Sequence, residues 1–186
     1  MICGVGTEIR LPATAGPLAA WPHDREGWCP EKLRTWFARR FPEIHSQPED
    51  AQTTYKLSYF AHGLSGEELE EIEAAVAGEG FRVRIIYSSA RDLDLLPAGV
   101  DKGSSAAFVA KKLGIEANRV IVSGDSGNDL ALFCQSFRGI VVANAHPELK
   151  ALREPRIYHA QRTFAAGVLE GLRHWEQVDR GGGSAA

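Results

Sequence analysis

Beyond Pro97, runs of consecutive apolar residues alternate with segments whose apolar residues recur every three or four positions. The consecutive runs, residues 120–122 and 140–143, predict buried strands at residues 119–122 and 139–143, and the periodic segments predict helices. Strands that are apolar on both faces and separated by helices are typical of a parallel sheet covered by helices. This part of the chain therefore predicts an α/β fold, with helices expected at residues 102–113, 130–133, 147–152 and 164–175.

Before Pro97 the pattern is different, because the predicted strands at residues 54–60, 81–87 and 93–97 are short and mix apolar with polar positions. Pro30 and the apolar spacing after it predict a helix that Pro42 ends, and Ser65 with Glu68 forms a capping box for a second helix. Residues 2–5 predict a short buried strand, and residues 10–30 predict a loop. The region predicts an α+β unit.

Composition excludes several classes of partner. The 186 residues carry a net charge of −3, which does not favour nucleic acid or an anionic membrane as a partner. The apolar runs are far shorter than the roughly 20 residues of a membrane span. Three cysteines lie far apart in the sequence, which predicts a reducing, cytoplasmic environment and no disulfide framework.

The segment Gly124-Asp125-Ser126-Gly127-Asn128-Asp129 follows a predicted strand and precedes a predicted helix. That position is the carboxyl edge of a parallel sheet, where α/β proteins bind ligands. Two carboxylates four residues apart can converge on Mg²⁺, which binds one or two carboxylates and takes its other oxygen ligands from water and phosphate. The alternative is a turn in which Asp and Asn cap the helix, and the six residues alone leave both interpretations open.

Lys102 lies at the start of a predicted helix, at the positive end of the helix dipole. Anions stabilise that end, so a lysine placed there against this preference indicates that it faces an anion. A solvated surface lysine is the alternative. Asp125 follows 23 residues later, and the combination is more specific than either residue alone.

Asp92-Leu93-Asp94 is a second pair of acids that could provide a nucleophile and a general acid/base. The pair follows Ser88-Ser89-Ala90-Arg91 rather than an apolar strand. We therefore interpret one acid as a hinge or substrate contact and the other as solvated.

Three segments resemble motifs of the haloacid dehalogenase-like (HAD) phosphatases, namely Asp101-Lys102-Gly103, residues 124–129 and Val142-Ala143-Asn144-Ala145. Within that superfamily the chain resembles the sucrose-6-phosphate phosphatases, which carry an α+β cap inserted before the lysine. Further similar runs are residues 5–9, 87–97, 144–149, 158–160 and 167–172. The resemblance covers about residues 2–176. It implies an α/β fold in which an incomplete parallel Rossmann-like core carries an inserted cap. The implied division of the chain is a core strand remnant at residues 1–8, the cap at 9–95, the core at 96–177 and a flexible tail at 178–186.

The resemblance also implies an activity, the Mg²⁺-dependent hydrolysis of a sugar phosphate, most closely sucrose 6-phosphate, through an aspartyl-phosphate intermediate. Lys102 would pair with the phosphate and the nucleophile, and Asp129 would hold Lys102 or the water of the metal. The resemblance further implies that Asp125, Asp129 and Asn128 bind the metal. It also implies that Asn144 orients the loop or the ligand and that Lys56 binds the sugar.

Phosphatases of this kind begin with an apolar strand that ends in Asp-x-Asp, followed by a Ser/Thr motif, and neither precedes Met1. We therefore expect an N-terminally truncated chain that hydrolyses almost nothing by itself. Two alternatives stay open. The chain could be a catalytically silent, sugar-phosphate-binding module of a sucrose-phosphate synthase or associated with one. It could also be a phosphatase that acts on the phosphate of another disaccharide or on a mannosyl phosphate.

Overall fold

The computed structural model describes residues 2–9, 21 and 27–182. Most of the predicted loop at residues 10–30 and the last four residues of the predicted tail lie outside the described residues. The chain forms two compact units, Met1–Ser105 and Ala106–Ala186. The predicted boundary between cap and core, at residues 95 and 96, lies before this division, and the assignment of cap and core stays a prediction.

Unit 1 begins with a two-stranded antiparallel ribbon, in which β1 (Ile2–Cys3) pairs with β2 (Glu8–Ile9). The strand predicted at residues 2–5 is therefore too long, because Gly4–Gly6 forms a turn in which Val5 has a φ of 58°. Gly6 has a φ of 100°, and a Cβ at this position would lie 2.3 Å from the carbonyl oxygen of Asp101. Only glycine allows this close approach beside Lys102.

The main sheet of unit 1 is antiparallel and has the strand order β3-β4-β6-β5. Two helices accompany it, and the capping box predicted from Ser65 and Glu68 is confirmed at the start of the second helix. The elements are α1 (Pro30–Arg40), β3 (His45–Ser46), β4 (Leu57–Phe60), α2 (Gly66–Gly78), β5 (Val83–Ser88) and β6 (Asp92–Pro97).

The two faces of this sheet have opposite character, because side chains alternate along each strand. One face packs on the helices through a buried apolar core that includes Leu33 and Phe37 of α1, Ile72 and Val76 of α2, and Leu57, Tyr59, Leu93 and Leu95 of the strands. On the other face Ser58 lies opposite Asp94, and both are buried. The sheet therefore separates a helical layer from a polar face.

Unit 2 contains the predicted parallel sheet, with the strand order β7-β8-β9. The strand β9 is only three residues long, and the sequence pattern did not reveal it. The last helix extends to Gly182, beyond its predicted end and into the predicted tail. The elements are α3 (Lys102–Lys112, which begins in unit 1), β7 (Ile121–Gly124), α4 (Leu130–Phe133), β8 (Arg138–Val141), α5 (Pro147–Lys150), β9 (Ile157–His159) and α6 (Phe164–Gly182).

Because α6 packs closely on β8, substitution of two helical glycines by alanine should change stability in opposite directions. A Cβ at Gly171 would lie 2.5 Å from Ile140, which is fully buried, whereas nothing lies within 4 Å of a Cβ at Gly78 in α2. We expect Gly171→Ala to lower the free energy of unfolding by about 1–3 kcal/mol through overpacking. We expect Gly78→Ala to raise it by about 0.5 kcal/mol through helix propensity. Urea denaturation followed by circular dichroism measures both changes, and a stabilised Gly171→Ala variant would contradict the packing described here.

None of the helices in the described ranges combines the length and the apolarity needed to cross a bilayer.

Candidate functional site

The acidic loop, residues 124–129, connects β7 to α4 at the carboxyl end of the strand. Gly127–Asp129 forms a turn of 3₁₀ helix, and Asp129 is 8% exposed. Its Oδ2 accepts hydrogen bonds from the backbone N–H of Asp125 at 3.1 Å and of Ser126 at 3.4 Å. Asp129 therefore holds the loop in shape from a buried position.

The loop also requires glycine where β7 ends. A Cβ at Gly124 would lie 2.5 Å from the Cβ of Asp129. Since Asp129 packs directly on the backbone of residue 124, a larger residue there would displace the carboxylate that organises the loop.

Asp125 differs from Asp129 because its side chain is exposed. Within the described part of the chain, no hydrogen bond or ion pair engages its carboxylate, and no cluster of three or more His, Cys, Asp or Glu side chains is present that could hold a metal. Mg²⁺ does not need such a cluster, since one or two carboxylates suffice when water and phosphate supply the other oxygens. The donor set of the loop fits Mg²⁺ on these terms, with Asp125 as the available carboxylate.

The loop that follows β8 is tied to the acidic loop on one side and to α6 on the other. The backbone N–H of His146 donates to the carbonyl oxygen of Asp125 at 2.7 Å. The Oδ1 of Asn144 accepts the backbone N–H of Phe164 at 2.7 Å, and the N–H of Ala143 donates to the carbonyl oxygen of Arg162 at 3.0 Å. Asn144 therefore caps α6 with its oxygen, which leaves its amide NH₂ for the ligand role predicted from the sequence.

Glu170 supports this arrangement, although no pattern in the sequence pointed to it as a functional residue. Its carboxylate accepts the backbone N–H of Gln161 and of Arg162 and the hydroxyl of Tyr158. These bonds, chiefly the one from the Gln161 backbone, hold the pKa of Glu170 below its usual value. Because the folded-state pKa is lowered, this contribution to stability is present above the unfolded-state pKa and is lost as the pH falls through the folded value. The only signal for Glu170 in the sequence was its place in residues 167–172, one of the runs that resemble the phosphatase family.

Lys56 and Asp94 form a buried polar cluster on the polar face of the sheet in unit 1. The Nζ of Lys56 donates to the Oγ of Ser58 at 2.6 Å and lies 3.7 Å from Oδ1 of Asp94, with side chains 12% and 10% exposed. Ser58 also donates to Asp94 at 2.6 Å. Asp94 is buried and is therefore not the solvated acid of the Asp92-Leu93-Asp94 pair, whereas the side chain of Asp92 is 22% exposed and accepts from Gln47 and Arg91. Binding of a sugar by Lys56 stays a prediction.

Lys102 is the first residue of α3, as predicted. The preceding residue, Asp101, caps the helix, because its Oδ1 accepts the backbone N–H of Ser104 at 2.7 Å. Lys102 belongs to unit 1 and the acidic loop to unit 2. The convergence of Lys102, Asp125, Asn128 and Asp129 on one phosphate therefore stays a prediction.

Comparison with known proteins adds independent information. The family model of sucrose-6F-phosphate phosphohydrolase matches residues 1–176. The mannosylfructose-phosphate phosphatase of Agrobacterium fabrum is 38% identical over 179 residues, which cover 94% of this chain and 72% of that protein. Sucrose-phosphatase 2 of Nicotiana tabacum is 33% identical and covers 93% of this chain, but the match spans only 43% of that protein. The chain therefore corresponds to only part of these relatives.

Three further similarities concern two solved structures and a synthase. The sucrose-phosphatase of Synechocystis sp. PCC6803, solved in complex with sucrose and phosphate, superposes with a TM-score of 0.74 and 32% identity, covering 81% of this chain and 64% of that one. A HAD subclass IIB sugar phosphatase, at 18% identity and a TM-score of 0.55, shares the fold. The glucosylglycerol-phosphate synthase of Pseudomonas anguilliseptica is 29% identical over 84% of this chain and 19% of the synthase.

Proposed function

The chain belongs to the sucrose-6F-phosphate phosphohydrolase family and has a HAD-like α/β fold, and on that premise we propose that it serves the Mg²⁺-dependent hydrolysis of a sugar phosphate, with sucrose 6-phosphate as the first candidate. The observation that carries this proposal is the acidic loop. It presents an exposed Asp125 beside a buried Asp129 at the carboxyl end of a parallel strand. Such an edge is where α/β proteins bind phosphorylated ligands.

Each residue has a distinct part in the proposed chemistry. Asp125 would hold Mg²⁺, with Asn128 beside it, while Asp129 would keep the loop in shape through its bonds to two backbone N–H groups. Lys102 would neutralise phosphate charge. When bound, the metal would supply a positive charge that orients the phosphate and stabilises its transition state.

We also propose that the covalent nucleophile comes from outside residues 1–186. The only Asp-x-Asp in the sequence is Asp92-Leu93-Asp94, at the start of β6. Asp94 is 7% exposed and hydrogen-bonded to Ser58, which disfavours attack on phosphorus. An aspartyl-phosphate intermediate formed on a separate Asp-x-Asp segment is consistent with the family.

Calorimetric titration of the 186-residue chain with sucrose 6-phosphate tests the proposal. We expect saturable binding that requires Mg²⁺ and that sucrose and inorganic phosphate reproduce only weakly. Binding that is the same with and without Mg²⁺, or no binding, would refute it. A phosphate-release assay on the same chain tests the nucleophile, since Mg²⁺-dependent turnover would show that an acid within the chain performs the attack.

A mannosylfructose phosphate is the second candidate substrate, because the Agrobacterium relative matches at higher identity and coverage than the tobacco one. Parallel titrations with the two sugar phosphates discriminate between them. A preference of about tenfold, equivalent to 1.4 kcal/mol, would assign the substrate.

A third candidate is a silent module linked to a sugar-phosphate synthase. The partial match to a synthase favours it. A silent module would bind sugar phosphate and release no phosphate even when the chain is supplied with the Asp-x-Asp segment of a relative, whereas an enzyme would regain turnover.

A further inference from the structure

A cavity of about 460 Å³ lies in unit 1 and shares no residue with the acidic loop or with the Lys56 cluster. It is on the helical layer of the sheet, where α1 approaches the segment that follows α2. Its volume falls within the range of small-molecule sites. The lining residues that matter here are Glu31, Lys32, Trp36, Arg39, Glu79 and Phe81.

Two aromatic rings form the apolar part of this cavity. The centroids of Trp36 and Phe81 are 5.5 Å apart, and their planes are inclined by 57°. Both side chains are half-buried and pack against the core of unit 1. Both residues line the cavity, so a ligand there would meet apolar aromatic surface.

Four charged side chains surround the rings, and their charges cancel. Glu31 and Glu79 offer acceptors, whereas Lys32 and Arg39 offer donors. Within the described residues, no ion pair or side-chain hydrogen bond engages any of the four. A phosphate would be repelled by two carboxylates and a quaternary ammonium by two cations, so the balance favours a neutral ligand rich in hydroxyl groups.

We propose that this cavity binds a neutral saccharide. A pyranose ring has a C–H face that can lie on an aromatic ring, and its hydroxyl groups both donate and accept hydrogen bonds. The arrangement of an apolar floor with a few polar groups at the rim is the usual one for small-ligand recognition. The site is independent of phosphate chemistry, because no part of it selects a negative charge.

Titration of the 186-residue chain with sucrose, followed by NMR, tests this proposal. The indole N–H resonance of Trp36 is identified as the one missing from Trp36→Phe. We expect it to shift in a saturable way with a dissociation constant of about 1 mM or weaker, as for a small ligand on an open site. Inorganic phosphate should leave it unmoved. A Trp36 signal insensitive to sucrose, or equally sensitive to phosphate, would overturn the proposal.

Matched charge variants show whether the rim contributes. Arg39→Ala and Glu79→Gln should each weaken sucrose binding about five- to tenfold, the loss expected for one charge-assisted hydrogen bond. Arg40→Ala removes the same charge from the next residue of α1, outside the cavity, and should change affinity less than twofold. Equal effects of the Arg39 and Arg40 variants would overturn the proposal. Asp125→Asn, which tests the phosphatase proposal, should leave this titration unchanged.

Discussion

Asp125→Asn should weaken Mg²⁺-dependent binding of sugar phosphate by at least about 100-fold. Loss of groups that only support a metal ligand already costs roughly 10–100-fold in affinity, and the proposed ligand itself should cost more. The amide retains the size of the carboxylate but not its charge, which is the property that a hard cation requires. Calorimetric titration with sucrose 6-phosphate in the presence of Mg²⁺ measures the effect.

The fold should tolerate this substitution, because Asp125 is exposed and no described residue hydrogen-bonds to its carboxylate. We expect the free energy of unfolding to change by less than about 0.5 kcal/mol. Asp50→Asn is the matched control, since Asp50 is also exposed and lies in unit 1. Unchanged Mg²⁺-dependent binding in the Asp125 variant would exclude this residue as the metal ligand.

Asp94→Ala should lower the free energy of unfolding by about 3 kcal/mol or more. It would leave the ammonium of Lys56, whose side chain is 12% exposed, without its carboxylate. Removal of one partner of a buried ion pair typically costs 3–5 kcal/mol, because the remaining charge stays buried and uncompensated. Ser58, which is fully buried, would lose an acceptor in addition. Urea denaturation measures the loss.

Two further variants separate the ion pair from a general effect of truncation. Asp92→Ala alters an acid on the same face of β6 whose side chain is 22% exposed, so a loss of only about 1 kcal/mol is expected. Combining Lys56→Met with Asp94→Ala should recover at least about 1 kcal/mol relative to Asp94→Ala, since no unpaired charge remains. If the Asp92 and Asp94 variants lose equal stability, the buried pair is not the cause.

Lys56 illustrates the limit of motif-based reasoning. The family resemblance placed Lys56, within the predicted strand at residues 54–60, at the sugar, and that role stays a prediction. The sequence did not show that β4 and β6 pair in a register that sets Ser58 opposite Asp94. In this register Lys56 donates a hydrogen bond to Ser58 and forms an ion pair with Asp94. The register between two strands far apart in sequence depends on the packing of the whole sheet, and no local pattern reports it.

The acidic loop shows the opposite case. The residues of a turn, a cap and a strand end are neighbours in sequence, so the sequence alone places residues 124–129 between a strand and a helix. Of the two interpretations left open, the structure supports the cap for Asp129, and metal binding by Asp125 stays a proposal. Asp129 is buried and caps the turn, whereas Asp125 is exposed and remains available.

The sequence alone determined the main helices and the longer strands and their order, including the capping box at Ser65 and the parallel sheet after Pro97, because periodicity, caps and turn residues act over a few positions; it did not reveal the two- and three-residue strands β2, β3 and β9. It also identified the family, since the motifs are contiguous. Only the tertiary structure decided which carboxylates are buried, how Asn144 and Glu170 are used, and that Trp36 and Phe81 share a cavity. Those outcomes depend on contacts between segments distant in the chain, whose energies arise only once the sheet and helices have packed.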